Sequence, residues 1–321
     1  MRISEKGVLI NYHDDPNETR LVIPEGVTAI APHALYGAEY LEEVVIPEGV
    51  TKIGASAFEN CRELRRVTMA DSVTSMGKMV FGYCPKLEQV RLSCGLTEIP
   101  ARAFTNCYAL CSVEIPDSVQ RIDIFAFNSC TALSSMRLPE TLTEICDGAF
   151  METFSLKSID IPYGVSALEQ DSFFRSGVEV MKWRGMDLYF SDGRENILNC
   201  IGIFFAEQFT EKLEQGELDT SLLDKELEIP FVVAYYVKTR SAGLKAYIKK
   251  HFPEIFKRVI RTNDLKALTA FIEEGGLISA HNIDRYIDFA LECEKREIYL
   301  TLIQQKEQLG SYREKSGRFK L

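Results

Sequence analysis

The sequence predicts an α/β repeat solenoid, with two short strands and a helical turn per 23-residue repeat, followed by an all-α domain. Three observations carry this. One phrase, close to I-P-x-x-V-T-x-I-x-x-x-A-F-x-x-C-x-x-L-x-x-V-x, recurs from Leu21 to about Lys182. Its register is set by Phe58, Phe81, Phe104, Phe127, Phe150 and Phe173, which recur at one constant interval, with Leu35 one period earlier. A fixed period of this length marks stacked repeats. The apolar positions also form columns, such as Val27, Val50, Val73, Leu96, Val119, Leu142 and Val165. No single coil can bury them, whereas stacked coils bury them as one core at about 1.5–3 kcal/mol per side chain. From about residue 194 the apolar spacing becomes helical.

Residues 1–20 do not fit the phrase and read as an N-terminal cap. Val8-Leu9-Ile10 with Tyr12 is a strand, and Asp14-Asp15-Pro16-Asn17 a turn. Such an end rung gives a solenoid its polar outer face. Within the repeats, Val44 and Ile46 alternate with outward residues, which makes a short strand. Pro-Glu-Gly at 24–26 and 47–49 then turns the chain, and the Val-Thr-x-Ile segment is a second strand. In A-F-x-x-C-x-x-L the spacing is helical, so a helical turn closes the coil. Rungs are expected about 4.8 Å apart.

Cys61, Cys84, Cys107 and Cys130 hold one column and read as buried thiols acting as small hydrophobes. Ala38 and Thr153 at the same place suggest selection by size. A disulfide between stacked neighbours stays open, since adjacent rungs bring them within about 5 Å.

The phrase resembles the BspA-type leucine-rich repeat, in seven consecutive copies over roughly half the chain. The resemblance implies a right-handed, curved leucine-rich-repeat solenoid with a role in protein binding and no catalytic residues. Two repeats, 68–90 and 91–113, lack the Ile-Pro and read Met69-Ala70 and Leu92-Ser93, which predicts weaker turns over an intact core.

The expected organisation is cap 1–20, solenoid 21–182, closing hairpin and linker 183–193, and helical domain 194–321. Trp183 and Tyr189 belong to the hairpin, against the last rung. Helices are expected at about 194–209, 218–224, 228–239, 242–251, 254–261, 264–274, 282–294 and 296–308. Pro253 suits a first turn and Gly275-Gly276 a helix end. Ile255–Gly275 and Tyr286–Lys306 share one spacing of apolar positions, the second segment repeating the first at a fixed offset. They resemble ankyrin-like helix pairs without the Thr-Pro-Leu-His turn. The residues from Ser311 onward are polar and basic.

A formal net charge of -10 argues against a nucleic-acid binder or a partner of anionic membranes. No window reaches the ~18 apolar residues of a membrane span. The N-terminus has no apolar run of signal-peptide length. The expectation is a cytoplasmic protein; a leader before Met1 would instead indicate an exported surface adhesin. His13, His33, His251 and His281 lack metal-ligand spacing, and no nucleophile or phosphate-binding motif occurs. Asp14 and Asp15 are a carboxylate pair that a calcium ion would suit, set in a turn. The expectation is therefore no enzyme, no metal and no cofactor; an enzyme with a site at the domain junction is the least favoured reading.

The outward strand positions carry the candidate protein-binding surface. One column reads Val45, Thr68, Arg91, Glu114, Arg137, Asp160, its last four alternating in sign. The plain reading is cross-rung pairs worth about 0.2–1 kcal/mol each; the sharper one is a polar recognition face. The companion column holds Glu43, Arg66, Gln89, Ser112, Ser135 and Ser158, with no aromatic anchor. Met79, Tyr83, Tyr108 and Phe125, with Phe154, make a candidate apolar patch for an interface or a dimer. Lys249, Lys250, His251, Lys257, Arg258 and Arg261 form a basic cluster, read as a solvated face or a contact for an anionic partner. The partner expected overall is another protein.

Overall fold

The computed structural model describes residues 1–169, 171–183, 185–189, 225–240 and 242–317. Within them one compact unit runs from Met1 to Gly185, and a second comprises Met186–Tyr189 and residues 225–317. Strands are numbered in chain order. The unit begins with β1 (Arg2–Ile3) antiparallel to β2 (Val8–Asn11). Each coil then supplies two strands. One face carries β3 (Arg20–Val22), β5 (Glu43–Ile46), β7 (Arg66–Met69), β9 (Gln89–Arg91), β11 (Ser112–Glu114), β13 (Ser135–Arg137), β15 (Ser158–Ile161) and β17 (Val180–Trp183). The other carries two-residue strands: β4 (Ala29–Ile30), β6 (Lys52–Ile53), β8 (Ser75–Met76), β10 (Glu98–Ile99), β12 (Arg121–Ile122), β14 (Glu144–Ile145) and β16 (Ala167–Leu168). Neighbours within each ladder are parallel and shifted by one repeat, as in Thr68 opposite Arg91 and Glu114 opposite Arg137. The N-terminal segment adds to the ladder of two-residue strands: β2 pairs with β4, Val8 opposite Ala29.

The core is the set of columns read from the period. Val44, Ile46, Val50, Ile53, Leu64 and the six column phenylalanines are all fully buried. The six rings stack one per rung, with centroids 5.0–5.6 Å apart and planes within 4–19°. Offset stacks of this kind add about 0.5–1.5 kcal/mol per pair to the area buried.

The helical turn takes the form of consecutive i→i−3 turns. Ala34, Tyr36 and Ala38 donate within the arc, to Ala31, His33 and Leu35. The residues between, His33, Leu35 and Gly37, donate in turn to Ala55, Ala57 and Glu59 of the next rung. Two columns of the arc lie in the left-handed region, one with Ser56, Met79, Arg102 and Phe125, the other with Asn60, Tyr83 and Asn106.

The cysteine column is chemistry as well as size. The thiols of Cys61, Cys84, Cys107 and Cys130 donate to the carbonyls of Leu35, Phe58, Phe81 and Phe104 on the preceding rung, at 3.1–3.2 Å. These cysteines are free. Burial raises the pKa of Cys84 and Cys130 and pushes Cys107 up to about 12, so these three thiols stay protonated donors.

In the second unit, β18 (Met186–Tyr189) accompanies five helices: α1 (Lys225–Thr239), α2 (Ala242–Arg261), α3 (Leu265–Glu274), α4 (Ile283–Glu292) and α5 (Arg296–Gly317). The two helices expected at 242–251 and 254–261 form one helix kinked at His251, with Pro253 just beyond. Phe252, Phe256, Phe271 and Tyr286 make an aromatic core of edge-on and tilted contacts. The spacing shared by the two helical segments reappears as geometry. Asn263 and Glu294 both have positive φ, and the next residues, Asp264 and Lys295, donate to Val259 and Ala290. Gly275 caps α3, donating to Ile272. The expected helices at 194–209 and 218–224, and the hairpin turn at 184 and 190–193, lie outside the described residues.

Asp264 caps α3 by accepting the Ala267 N–H at 2.9 Å, yet it is 4% exposed. Burial pushes its pKa up to about 6, against the lowering effect of that hydrogen bond.

Phe104→Ala should cost about 3–5 kcal/mol in denaturant unfolding; a loss under about 1 kcal/mol would place the ring outside the core. In the native protein a thiol reagent should modify exposed Cys94 and Cys111, and reach Cys61, Cys84, Cys107 and Cys130 only on unfolding. An unfolded Asp titrates near 4, so between about pH 4 and 6 the folded state holds the extra proton at Asp264 and stability falls as pH rises. Asp264→Asn keeps the acceptor and removes the charge. Its stability relative to wild type should grow by roughly 1–2 kcal/mol from pH 4 to pH 7, and a pH-independent difference would rule out that protonation.

Candidate functional site

Outward side chains of the long strands project from a face whose ladder is not continuous. β3, β5, β7 and β9 form one sheet and β11 and β13 another; among the described residues no backbone hydrogen bond joins β9 to β11. The other face also breaks, one step earlier, between β8 and β10. The coil between the breaks contains Leu92-Ser93, where the phrase loses its Ile-Pro. Ser93 reknits that turn: it is fully buried, its hydroxyl donates to Val73 O at 2.6 Å, and it accepts the Gly95 N–H at 3.0 Å. The phenylalanine stack and the arc run through unbroken, with Phe81 N–H bonded to Ala103 O at 2.9 Å. The core is thus intact where the sheet surface parts.

A groove of about 710 Å³ lies over this parting. Of the eight residues expected in protein binding, Arg66, Thr68, Gln89, Arg91, Glu114 and Arg137 line it, while Glu43 and Asp160 are outside its lining. Sequence reasoning missed Cys94 and Asp117, which complete one wall. Both belong to the turn column Glu25, Glu48, Asp71, Cys94, Asp117, Glu140, whose acidic character was visible in the sequence.

The charges pair differently from the cross-rung reading. Within the column from Arg91 to Asp160, no adjacent-rung ion pair forms among the described residues. Arg91 instead reaches back along the chain to Asp71, at 3.1 Å, and donates to Met69 O. Arg137 makes the equivalent reach to Asp117, at 3.4 Å. In the companion column cross-rung pairing does occur: Glu43 bridges Arg20 at 3.2 Å and Arg66 at 3.4 Å. Hydrogen bonding from Arg20 leads the causes that lower the Glu43 pKa; for Asp71 the leading cause is the Cys94 N–H. Glu114 is exposed, and its carboxylate has no ion-pair or hydrogen-bond partner among the described residues.

The candidate apolar residues do not converge. Met79 and Phe125 share a column but Arg102 stands between them, its guanidinium 5.5 Å from the Phe125 ring centre. Phe125 also lies against Gly148, where an added Cβ would meet the ring at 2.3 Å. Tyr83 and Tyr108 are each about half exposed in different columns, and the Tyr108 hydroxyl donates to Asn106. The basic cluster is partly accounted for by Phe289, whose ring takes Lys257 at 5.4 Å and Arg261 at 5.3 Å.

For metals, the Asp14–Asp15 pair is divided between two turns. Asp14 accepts the Glu39 and Tyr40 N–H groups, and Asp15 accepts from Asn17. Glu144, Cys146 and Glu169 bring three ligand atoms within 4.8 Å of one another. Arg121 already supplies a cation there, 2.6 Å from Glu144, and Glu169 accepts the Asp147 N–H. Burial pushes the Cys146 thiol up to about 12.

A family model for the BspA type leucine rich repeat region, in six copies, matches residues 11–122 and 97–183, more than half the chain. No curated protein gives a significant match. Among solved structures, a leucine-rich repeat protein from Eubacterium ventriosum is 24% identical, with a TM-score of 0.51 over 54% of this chain and 47% of that one. This chain thus spans about half the length of that protein. A T. pallidum leucine rich repeat protein is 28% identical, with a TM-score of 0.42 over 54% and 79% of the two chains. One from Bacteroides ovatus is 22% identical, with a TM-score of 0.37 over 56% and 62%. With its stacked 23-residue coils matched across residues 11–183, the chain belongs to the BspA-type leucine-rich repeat family.

Proposed function

We propose that the chain is a non-enzymatic scaffold that binds a protein partner in the groove between β9 and β11. The family suggests a role in protein interaction or surface binding. The observation that carries the finer reading is the gathering of outward polar residues around the opening between β9 and β11, one of two places where this face's ladder parts, the other lying between β13 and β15. The rungs on either side are fixed by ladder bonds and stacked rings, so little ordering cost is left for binding. No helix among the described residues is long and apolar enough to cross a membrane. A cytoplasmic setting is supported by the column thiols, whose hydrogen bonds to carbonyls need the reduced form.

The test fills the groove. Ser112 is exposed on its floor, so Ser112→Trp should block it without unfolding the protein. Wild type, Ser112→Trp and a control on the other face, Lys52→Trp, are used as baits in lysate of the source cell. At least one protein should be retained by wild type and Lys52→Trp and be lost with Ser112→Trp. Equal retention by all three would move binding off this face.

A further inference from the structure

The geometry points to a cationic occupant: an extended segment of a partner protein that places a lysine or arginine side chain on Glu114. This rests on the groove being the binding face. Three arginines line the opening, which at first suggests an acidic ligand. Each is already matched within the chain, Arg66 by Glu43, Arg91 by Asp71 and Arg137 by Asp117. Glu114 is the lining charge with no partner among the described residues.

The repeat explains why. In this column an arginine meets a residue of the preceding turn, as Arg91 meets Asp71 and Arg137 meets Asp117. For Glu114 the equivalent position is Cys94, the one interruption in the acidic run Glu25, Glu48, Asp71, Cys94, Asp117, Glu140. A thiol offers no positive charge, so the wall that neutralises an arginine on neighbouring rungs leaves this carboxylate open. Arg137, opposite it in the β11–β13 register, is turned toward Asp117. The parted strands supply the second element of recognition. The opening exposes outward side chains of both strands, and a segment laid along the face can reach them.

Cys94 makes occupancy measurable, because it is exposed and lines the groove, whereas exposed Cys111 is not part of the lining. A phage-displayed library of random dodecapeptides is panned on the full chain, and enriched peptides are synthesised. The expected result is a consensus containing lysine or arginine. These peptides should slow alkylation of Cys94 by N-ethylmaleimide at least threefold and leave Cys111 unchanged. Glu114→Gln should weaken them about tenfold with an unaltered thermal midpoint, and panning on Glu114→Lys should turn the consensus acidic. Arg137→Gln, which removes the nearest competing cation, should tighten them. The proposal is overturned if peptides that protect Cys94 lack a basic residue, or if Glu114→Gln changes their affinity less than twofold; the groove then remains the binding face with a different occupant. If no peptide from the library protects Cys94, the groove reading falls together with the occupant.

Discussion

The fold rests on one constraint: every polar backbone group in a coil must find a partner, in its own turns or on the coil next to it. A buried N–H or C=O left alone costs about as much as a lost hydrogen bond. In each arc, alternate N–H groups bond to the following rung and the others close i→i−3 turns. That pairing works only if the repeats are equal in length, which is why the period is held constant from Leu35 to Phe173. It also holds residues where they would not otherwise go. Ser56, Met79, Arg102 and Phe125 occupy the left-handed region, at a cost on the order of 1 kcal/mol each. Each donates its N–H to the following rung and accepts within its own arc, and the two bonds together hold it there. The phenylalanine stack and the thiol donors then fill the space this register creates.

The columns, the strands and the turns were legible because burial and period leave marks in residue type. The arc was legible only in outline. Phe, Cys and Leu three apart read as helix, and the left-handed positions gave no sign of themselves. Met79, Arg102 and Phe125 are not residues that announce positive φ, since the neighbouring rungs, not the side chain, impose it. In the second unit the recurring helical pattern was visible because the turns at Asn263 and Glu294 fix the same spacing of apolar residues on both helix pairs.

The candidate site was legible in its residues but not in its pairing. Alternating charges one rung apart suggest bridges between neighbours in a column. Arg91 instead chooses a turn carboxylate, for a physical reason. Asp71 is held in place by the Cys94 N–H, so the acceptor is already oriented when Arg91 reaches it. A column glutamate on an adjacent strand is free to rotate and must be ordered for the same bond. Glu43 shows the exception: set between Arg20 and Arg66, one carboxylate serves two cations.

The opening lies where the phrase is broken, and this connects the two levels. With Leu92-Ser93 in place of Ile-Pro, the turn is rebuilt by a buried serine hydroxyl bonded to Val73 O. The coil then pairs through β9 with the rungs before it and through β10 with the rungs after it. Neither ladder crosses it completely, so the continuity of the solenoid passes to the arc and the ring stack. A coil held by its interior can part at its surface at little cost to the core. The same repeat carries Cys94 where its neighbours carry an acid, and Glu114, the residue just after that repeat, lines the groove uncompensated. Departures from a repeat that leave every core column intact are free to serve the surface, and here they converge on one groove.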